Sequence, residues 1–305
     1  MKENESSLTS LVSAFGRAYH RKFDEPKIMD DTLAEKLLTQ SEFIRIGENM
    51  VNGIKYFNPE IAQTYKNQPD EILKWITQVQ LSPTPLARAA YCEKVIHHEI
   101  LLGAKQYVIL GAGLDTFCFR NLDVIDNINI FEIDHPATQA FKKERLALAG
   151  LDIPSHLHFI SMDFTKELSN TILEKSNFNS NQKTVFSLLG VSYYLTKKEL
   201  ENLLYEMFRN VPAGSSIVMD YADEGLFTEK GKSNRVQHMV EMAATSGEPM
   251  NSSFSYTEME TLLEKAGLLI YEQLDPEMIQ HQFFANRTDY LSAFETIHYL
   301  HAVKK

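Results

Sequence analysis

Residues 111–120 read GAGLDTFCFR and follow the short apolar run YVIL. Gly111 and Gly113 end that run. A residue without a Cβ permits a tight turn and lets a ligand approach the main chain closely, which a nucleotide-bearing molecule requires at the end of a strand. Roughly twenty residues further on, the run INIFEID closes on two carboxylates, Glu132 and Asp134. A carboxylate there can accept hydrogen bonds from both hydroxyls of a ribose, and it donates none. Positions 132 and 134 share one face of a strand, so one can hold ribose while the other fixes a neighbour. Asp134 also stands directly before HPATQAF, where it would suit a helix N-cap.

NAD and S-adenosylmethionine are both held by such features, and the third position of G-x-G-x-x-G separates them. A dinucleotide needs Gly or Ala there, for close helix–strand packing and access to the pyrophosphate. The chain has Thr116 at that place, preceded by Asp115. A negative side chain in the turn disfavours a pyrophosphate and suits a ligand bearing an ammonium and a sulfonium. The turn therefore favours S-adenosylmethionine, with an NAD-dependent oxidoreductase as the weaker alternative.

These residues need a sheet to carry them. QYVIL, INIFEID (128–134), LHFISMDF (157–164), TVFSLLG (184–190) and SSIVMDY (215–221) are short, mostly apolar runs, as expected of strands covered on both faces. Helical stretches alternate with them: PATQAFKKERLALAG, FTKELSNTILEKS and KKELENLLYEMFRNV. That alternation predicts right-handed crossovers and a mostly parallel sheet. Residues 223–255 interrupt it with a polar, irregular insertion. YTEMETLLEKAGL then resumes as a helix, and LIYEQL and TIHYLHAVK read as two last strands. Residues 1–103 read as helical, with TLAEKLL, EILKWITQVQL and LARAAYCEKVIHHEILLGA carrying apolar residues at three- and four-residue spacing. Gly103 is placed to stop the last of these.

Composition narrows the function. The formal net charge is -11, which argues against a nucleic-acid partner, because phosphate binding normally needs a basic surface. Cys92 and Cys118 lie in different segments without metal-ligand spacing and read as free thiols of a reducing compartment. MKENESSLTSLVSAFG lacks the basic and apolar regions of a secretory signal, and no stretch approaches a membrane span. A soluble, cytoplasmic protein with a small-molecule partner is expected. The pair at 97–98 (HH) has no carboxylate at ligand spacing, so no metal site is expected.

LARAAYCEKVI, YVILGAGLDTFCFR, FEIDHPATQAFKKERL, ISMDF and LGVSYYL resemble the leucine carboxyl methyltransferase family, which includes bacterial O-methyltransferases of polyketide type. The family's wording is close to A-R-T, then G-A-G-L-D-T-x-x-x-R, then E-x-D-x-P. The resemblance covers roughly residues 8 to 270. It implies a class I methyltransferase, a Rossmann-like α/β fold with a seven-stranded, mostly parallel sheet: a helical N-terminal cap over 1–103 and a cofactor-binding core over 104–305. It further implies that Arg88 clamps the methionine carboxylate of the cofactor, with the fixed fork of donors that task suits. Gly111 would face the methionine portion and Asp134 the ribose. Asp163 would accept from the adenine amino group, with the Phe164 backbone beside it; on the residues alone, Asp163 equally suits a cap for FTKELSN. Two positions depart from the pattern. Leu189 stands where the family commonly has Glu, which leaves the cofactor amine to another residue such as Asp115, and Ala89 replaces the threonine of A-R-T.

The expected activity is methyl transfer to a carboxylate or hydroxyl of a small molecule. A carboxylate needs no base, whereas a hydroxyl benefits from one near neutral pH. Tyr193, Tyr194, His20 and His238 are the candidates for that base. A non-catalytic S-adenosylmethionine-binding interaction protein is the alternative from a different class, with Leu189 as its sign.

Overall fold

A computed structural model describes residues 8–121, 128–166, 173 and 176–305. Its seven strands are β1 (Gln106–Leu110), β2 (Asn129–Asp134), β3 (Leu157–Ser161), β4 (Thr184–Leu188), β5 (Ser216–Ala222), β6 (Leu268–Leu274) and β7 (Ile297–Lys304). They form one sheet in the order β3-β2-β1-β4-β5-β7-β6. β1 to β5 are parallel, and β7 runs antiparallel between β5 and β6. The sheet is thus mixed, and its departure from a parallel sheet comes wholly from that last strand. Every residue of β1, β4 and β5 is buried, whereas β3 and β6, the edges, are half exposed. The continuous apolar runs therefore mark the centre of the sheet, where both faces are covered. Along β1 the period of two divides the core. Tyr107 and Ile109 pack on one side with Leu86 and Tyr91, and Val108 and Leu110 pack on the other with Phe186 and Leu203.

β1 is flanked by β2 on one side and β4 on the other, so the chain's direction of travel across the sheet reverses there. Beyond the carboxyl end of β1 lies the crevice that such a reversal opens. Among the described residues five α-helices precede it: α1 (Leu8–Phe23), α2 (Gln40–Phe57), α3 (Pro59–Thr64), α4 (Pro69–Ile76) and α5 (Pro83–Leu101). α5 begins on a proline, whose missing N–H costs nothing in a first turn, and Gly103 follows it at φ +95°. α1 packs through Phe15 and Ala18 onto Leu114 of the glycine turn and Leu146 of the helix Pro136–Leu148. Among the described residues no helix is long and apolar enough to cross a membrane. Cys92 and Cys118 are buried free thiols.

Three local expectations need correction or fall outside view. TLAEKLL forms only a 3-10 turn, Ala34–Leu37: Asp31 Oδ1 accepts the N–H groups of Leu33 and Ala34 at its start, and Leu38 turns extended (φ -111°, ψ 139°) just before Thr39 caps the next helix. The 223–255 segment is not irregular throughout: it holds the helix Arg235–Thr245. Val236, Met239, Val240 and Ala243 give that helix an apolar face at three- and four-residue spacing. Most of FTKELSNTILEKS lies outside the described residues.

Candidate functional site

The glycine turn is built as its sequence requires. Gly111, at φ +77°, donates its N–H to the Ile133 carbonyl at 2.8 Å, and a Cβ there would run into the Val191 side chain. Gly113, at φ +50°, donates to Asp134 Oδ2 at 2.6 Å, while Asp134 Oδ1 accepts the His135 N–H at 2.6 Å. Asp134 thus ties the end of β2 to the turn after β1. Burial raises its pKa, against the pull of those two N–H donors. The N-cap of the next helix is His135, whose Nδ1 accepts from the Ala137 N–H. Asp115 Oδ1 accepts the Phe117 N–H at 2.7 Å and starts the short helix α6, Phe117–Arg120.

A cavity of about 410 Å³ opens beside this turn, within the range of small-molecule sites. Gly111, Gly113, Asp115 and Asp134 line it at the ends of β1 and β2. Asp163, Phe164 and Leu189 line it from beyond β3 and β4, and Arg88 from α5. Asp163 Oδ1 accepts from the Thr165 N–H at 3.0 Å and its hydroxyl at 2.7 Å, so the residue also caps the turn that follows it. Burial opposes its charge, but the Thr165 bonds and Lys166 outweigh it and lower the pKa. Glu132 is placed elsewhere. It is buried away from the cavity lining against Lys142, Oε2 to Nζ at 2.5 Å, and burial pushes its pKa up to about 7 against the pull of that lysine. Of the two acids on β2, only Asp134 reaches the cavity.

Arg88 is not a lone side chain. Its Nη1 donates to Asp220 Oδ2 at 3.0 Å and to the Tyr193 hydroxyl at 2.9 Å. Burial works against the guanidinium's charge, and Asp220 outweighs it, holding the pKa above its usual value. Asp220 escaped the sequence reading although it sits in SSIVMDY. An acid inside a run buried on both faces was the signal.

The proposed bases fare poorly. His20 is fully buried and is not part of the cavity lining. Its Nε2 accepts the Ile28 N–H at 2.8 Å and its Nδ1 meets Asp24 Oδ2 at 2.7 Å, so both ring nitrogens are committed. This corrects its placement at the pocket. Tyr193 is buried behind Arg88, and burial carries its pKa well above the ordinary value. Tyr194 does line the cavity, and burial with Glu248 beyond it pushes the phenol up to about 12. His238 packs edge-on against Phe57, outside the lining. Among the described residues no group of three or more His, Cys, Asp or Glu side chains could hold a metal ion.

Several lining residues carried no sequence signal. Thr9, Ser10, Ser13 and Arg17 come from one face of α1, and Glu248 and Asn251 from the loop after the helix Arg235–Thr245. Thr9 Oγ1 donates to Glu248 Oε2 at 2.7 Å, joining the two walls. His135 lines the cavity beside Asp134.

The Bacillus subtilis protein YktD, named as an S-adenosyl-L-methionine-dependent methyltransferase, is 62% identical over 305 residues, all of both chains. A Parafrankia protein named for the same activity is 33% identical over 127 residues, 42% of this chain and 40% of its own. Among solved structures, a DUF574 family protein from Streptomyces avermitilis aligns with TM-score 0.53 at 13% identity, over 86% of this chain and 96% of that one. An O-methyltransferase family protein from Burkholderia thailandensis aligns with TM-score 0.50 at 12% identity, over 90% and 76%. Such identities show the fold alone. The sequence model of the leucine carboxyl methyltransferase family matches residues 10–208, which takes in α5, the glycine turn, β2 and β4. With residues 10–208 matched, more than half of the chain and inclusive of Arg88 and the turn after β4, this protein belongs to the leucine carboxyl methyltransferase family.

Proposed function

We propose that this S-adenosylmethionine-dependent methyltransferase methylates an oxygen of a small molecule, a carboxylate in preference to a hydroxyl. One observation carries the reading: a single cavity joins the glycine turn and Asp134 to Arg88 on one side and to α1 and residues 247–251 on the other. The donor set fits the cofactor. Asp134 keeps unused lone pairs beside its two N–H bonds and can accept from ribose hydroxyls. Asp163, Phe164 and Arg88 line the same cavity, which supports Asp163 and the Phe164 backbone as the residues that would hold adenine and Arg88 as the one that would hold the methionine carboxylate. Leu189 offers no charge to the amine, and Asp115 is the acid in the lining nearest to it in role.

S-adenosylmethionine, when bound, supplies a methyl group on a sulfonium with a good leaving group. The chain's own part is to hold, orient and exclude water. Residues 1–103 act as a cap, and the core over 104–305 carries the cofactor site, with the 223–255 insertion completing the acceptor side. A carboxylate acceptor is favoured because Tyr193 and Tyr194 keep their protons near neutral pH and His20 is locked in the interior. The test is calorimetry with S-adenosylhomocysteine and NAD, followed by incubation of metabolite extracts with methyl-labelled S-adenosylmethionine. Binding of S-adenosylhomocysteine and a base-labile methyl ester among the products are expected. Binding of NAD instead would overturn the reading, and cofactor binding with no labelled product would favour a non-catalytic binder.

A further inference from the structure

Asp220 lies in the fully buried strand β5 and is absent from the cavity lining, yet it binds two residues that are in it. Its Oδ2 takes Arg88 Nη1 at 3.0 Å, and its Oδ1 accepts the Gly190 N–H at 2.6 Å. Its own carbonyl accepts the Ser192 hydroxyl at 2.6 Å. The carboxylate therefore fixes α5 and the turn after β4 in one frame. Gly190 has φ +71°, and a Cβ on it would fall inside the Arg88 guanidinium. The arginine thus lies flat on a backbone that has no side chain to push it away.

A buried ion pair contributes little net stability, because desolvation offsets the attraction. Its effect here is on geometry. One nitrogen of the guanidinium is committed to Asp220 and Tyr193, which leaves the cavity-facing side of a fixed fork free for a carboxylate. A long side chain that is already ordered loses less freedom when a ligand binds. We propose that Asp220 is a positioning residue: it holds Arg88 and the Gly190 turn as one receptor for the amino-acid end of the cofactor. This rests on the reading that Arg88 meets the methionine carboxylate.

The experiment compares S-adenosylhomocysteine with 5′-methylthioadenosine, which keeps adenine, ribose and sulfur but lacks the amino-acid end. Calorimetry on the full chain gives both affinities for the wild type, Asp220→Asn and Arg88→Ala. Asp220→Asn is expected to weaken S-adenosylhomocysteine by about 10- to 100-fold, the loss of a charge-assisted bond, and to leave 5′-methylthioadenosine within about threefold. Equal losses for both ligands would make Asp220 a general scaffold residue and overturn the proposal. Unchanged affinities in Asp220→Asn, with a loss in Arg88→Ala, would overturn it while sparing the Arg88 reading. Unchanged S-adenosylhomocysteine affinity in Arg88→Ala would remove the reading itself. If Asp220→Asn does not fold, Gly190→Ala decides, since it displaces the guanidinium and keeps every charge. Selective loss of S-adenosylhomocysteine supports the frame, and equal or absent loss overturns it.

Discussion

Replacing Asp134 with Asn separates the two tasks assigned to that carboxylate. In the folded chain each carboxylate oxygen accepts a backbone N–H, from Gly113 and from His135, both at 2.6 Å. Asn keeps one acceptor oxygen and turns an amide NH₂ toward the other donor, so one bond is lost and the survivor becomes neutral. A hydrogen bond to a charged group contributes about 1.5–3 kcal/mol. Part of that loss is returned, because burial already opposes the Asp134 charge and raises its pKa, and Asn carries none. The net expectation is a destabilisation of about 1–2 kcal/mol without ligand. It should appear as a lower denaturant midpoint with an unchanged slope. Losing a ribose partner should cost about as much again, close to a tenfold weaker S-adenosylhomocysteine in calorimetry. If stability falls while affinity stays, the carboxylate only ties the turn and the ribose assignment is wrong. If neither changes, the two short N–H bonds do not carry the energy given to them.

Gly111→Ala should destabilise strongly, because a Cβ would collide with Val191 and φ is +77°. Val191→Ala in the same chain should recover most of the loss in thermal unfolding and leave about 1–2 kcal/mol of left-handed strain; no recovery would show that the collision is not the cause. Glu132 sits at about 7 when folded against 4.5 for the free group, so the folded chain holds that proton more tightly. Its contribution is full below pH 4.5 and is lost as pH rises through 7. The stability difference between wild type and Glu132→Gln should therefore shrink by about 2–3 kcal/mol from pH 5 to pH 8, and a flat difference in denaturant titrations would contradict the shift. Tyr194→Phe should leave the shape of the kcat/KM profile from about pH 6 to 9 unchanged, since burial holds that phenol at about 12; a lost limb would identify Tyr194 as a base.

Local sequence determined what local physics can encode. The positive φ at Gly111 and Gly113, the acids closing β2 and the buried runs of β1, β4 and β5 depend on neighbours in the chain, and each was legible as turn chemistry or period. The choice of S-adenosylmethionine over NAD came from Asp115 and Thr116 within the same few residues. Which acid faces the cavity was not legible there. Glu132 and Asp134 share a strand face, and it is Lys142, arriving from the following helix, that takes Glu132 out of reach. Arg88 was legible as a cation, but its fixed pose depends on an acid 132 residues away. His20 looked available until Ile28 and Asp24 closed on both of its nitrogens. The antiparallel β7 and the cavity walls from α1 and residues 247–251 were likewise set by packing. A side chain's type and spacing state what it can do. Which partner it meets is decided by contacts between distant segments, and no local period records them.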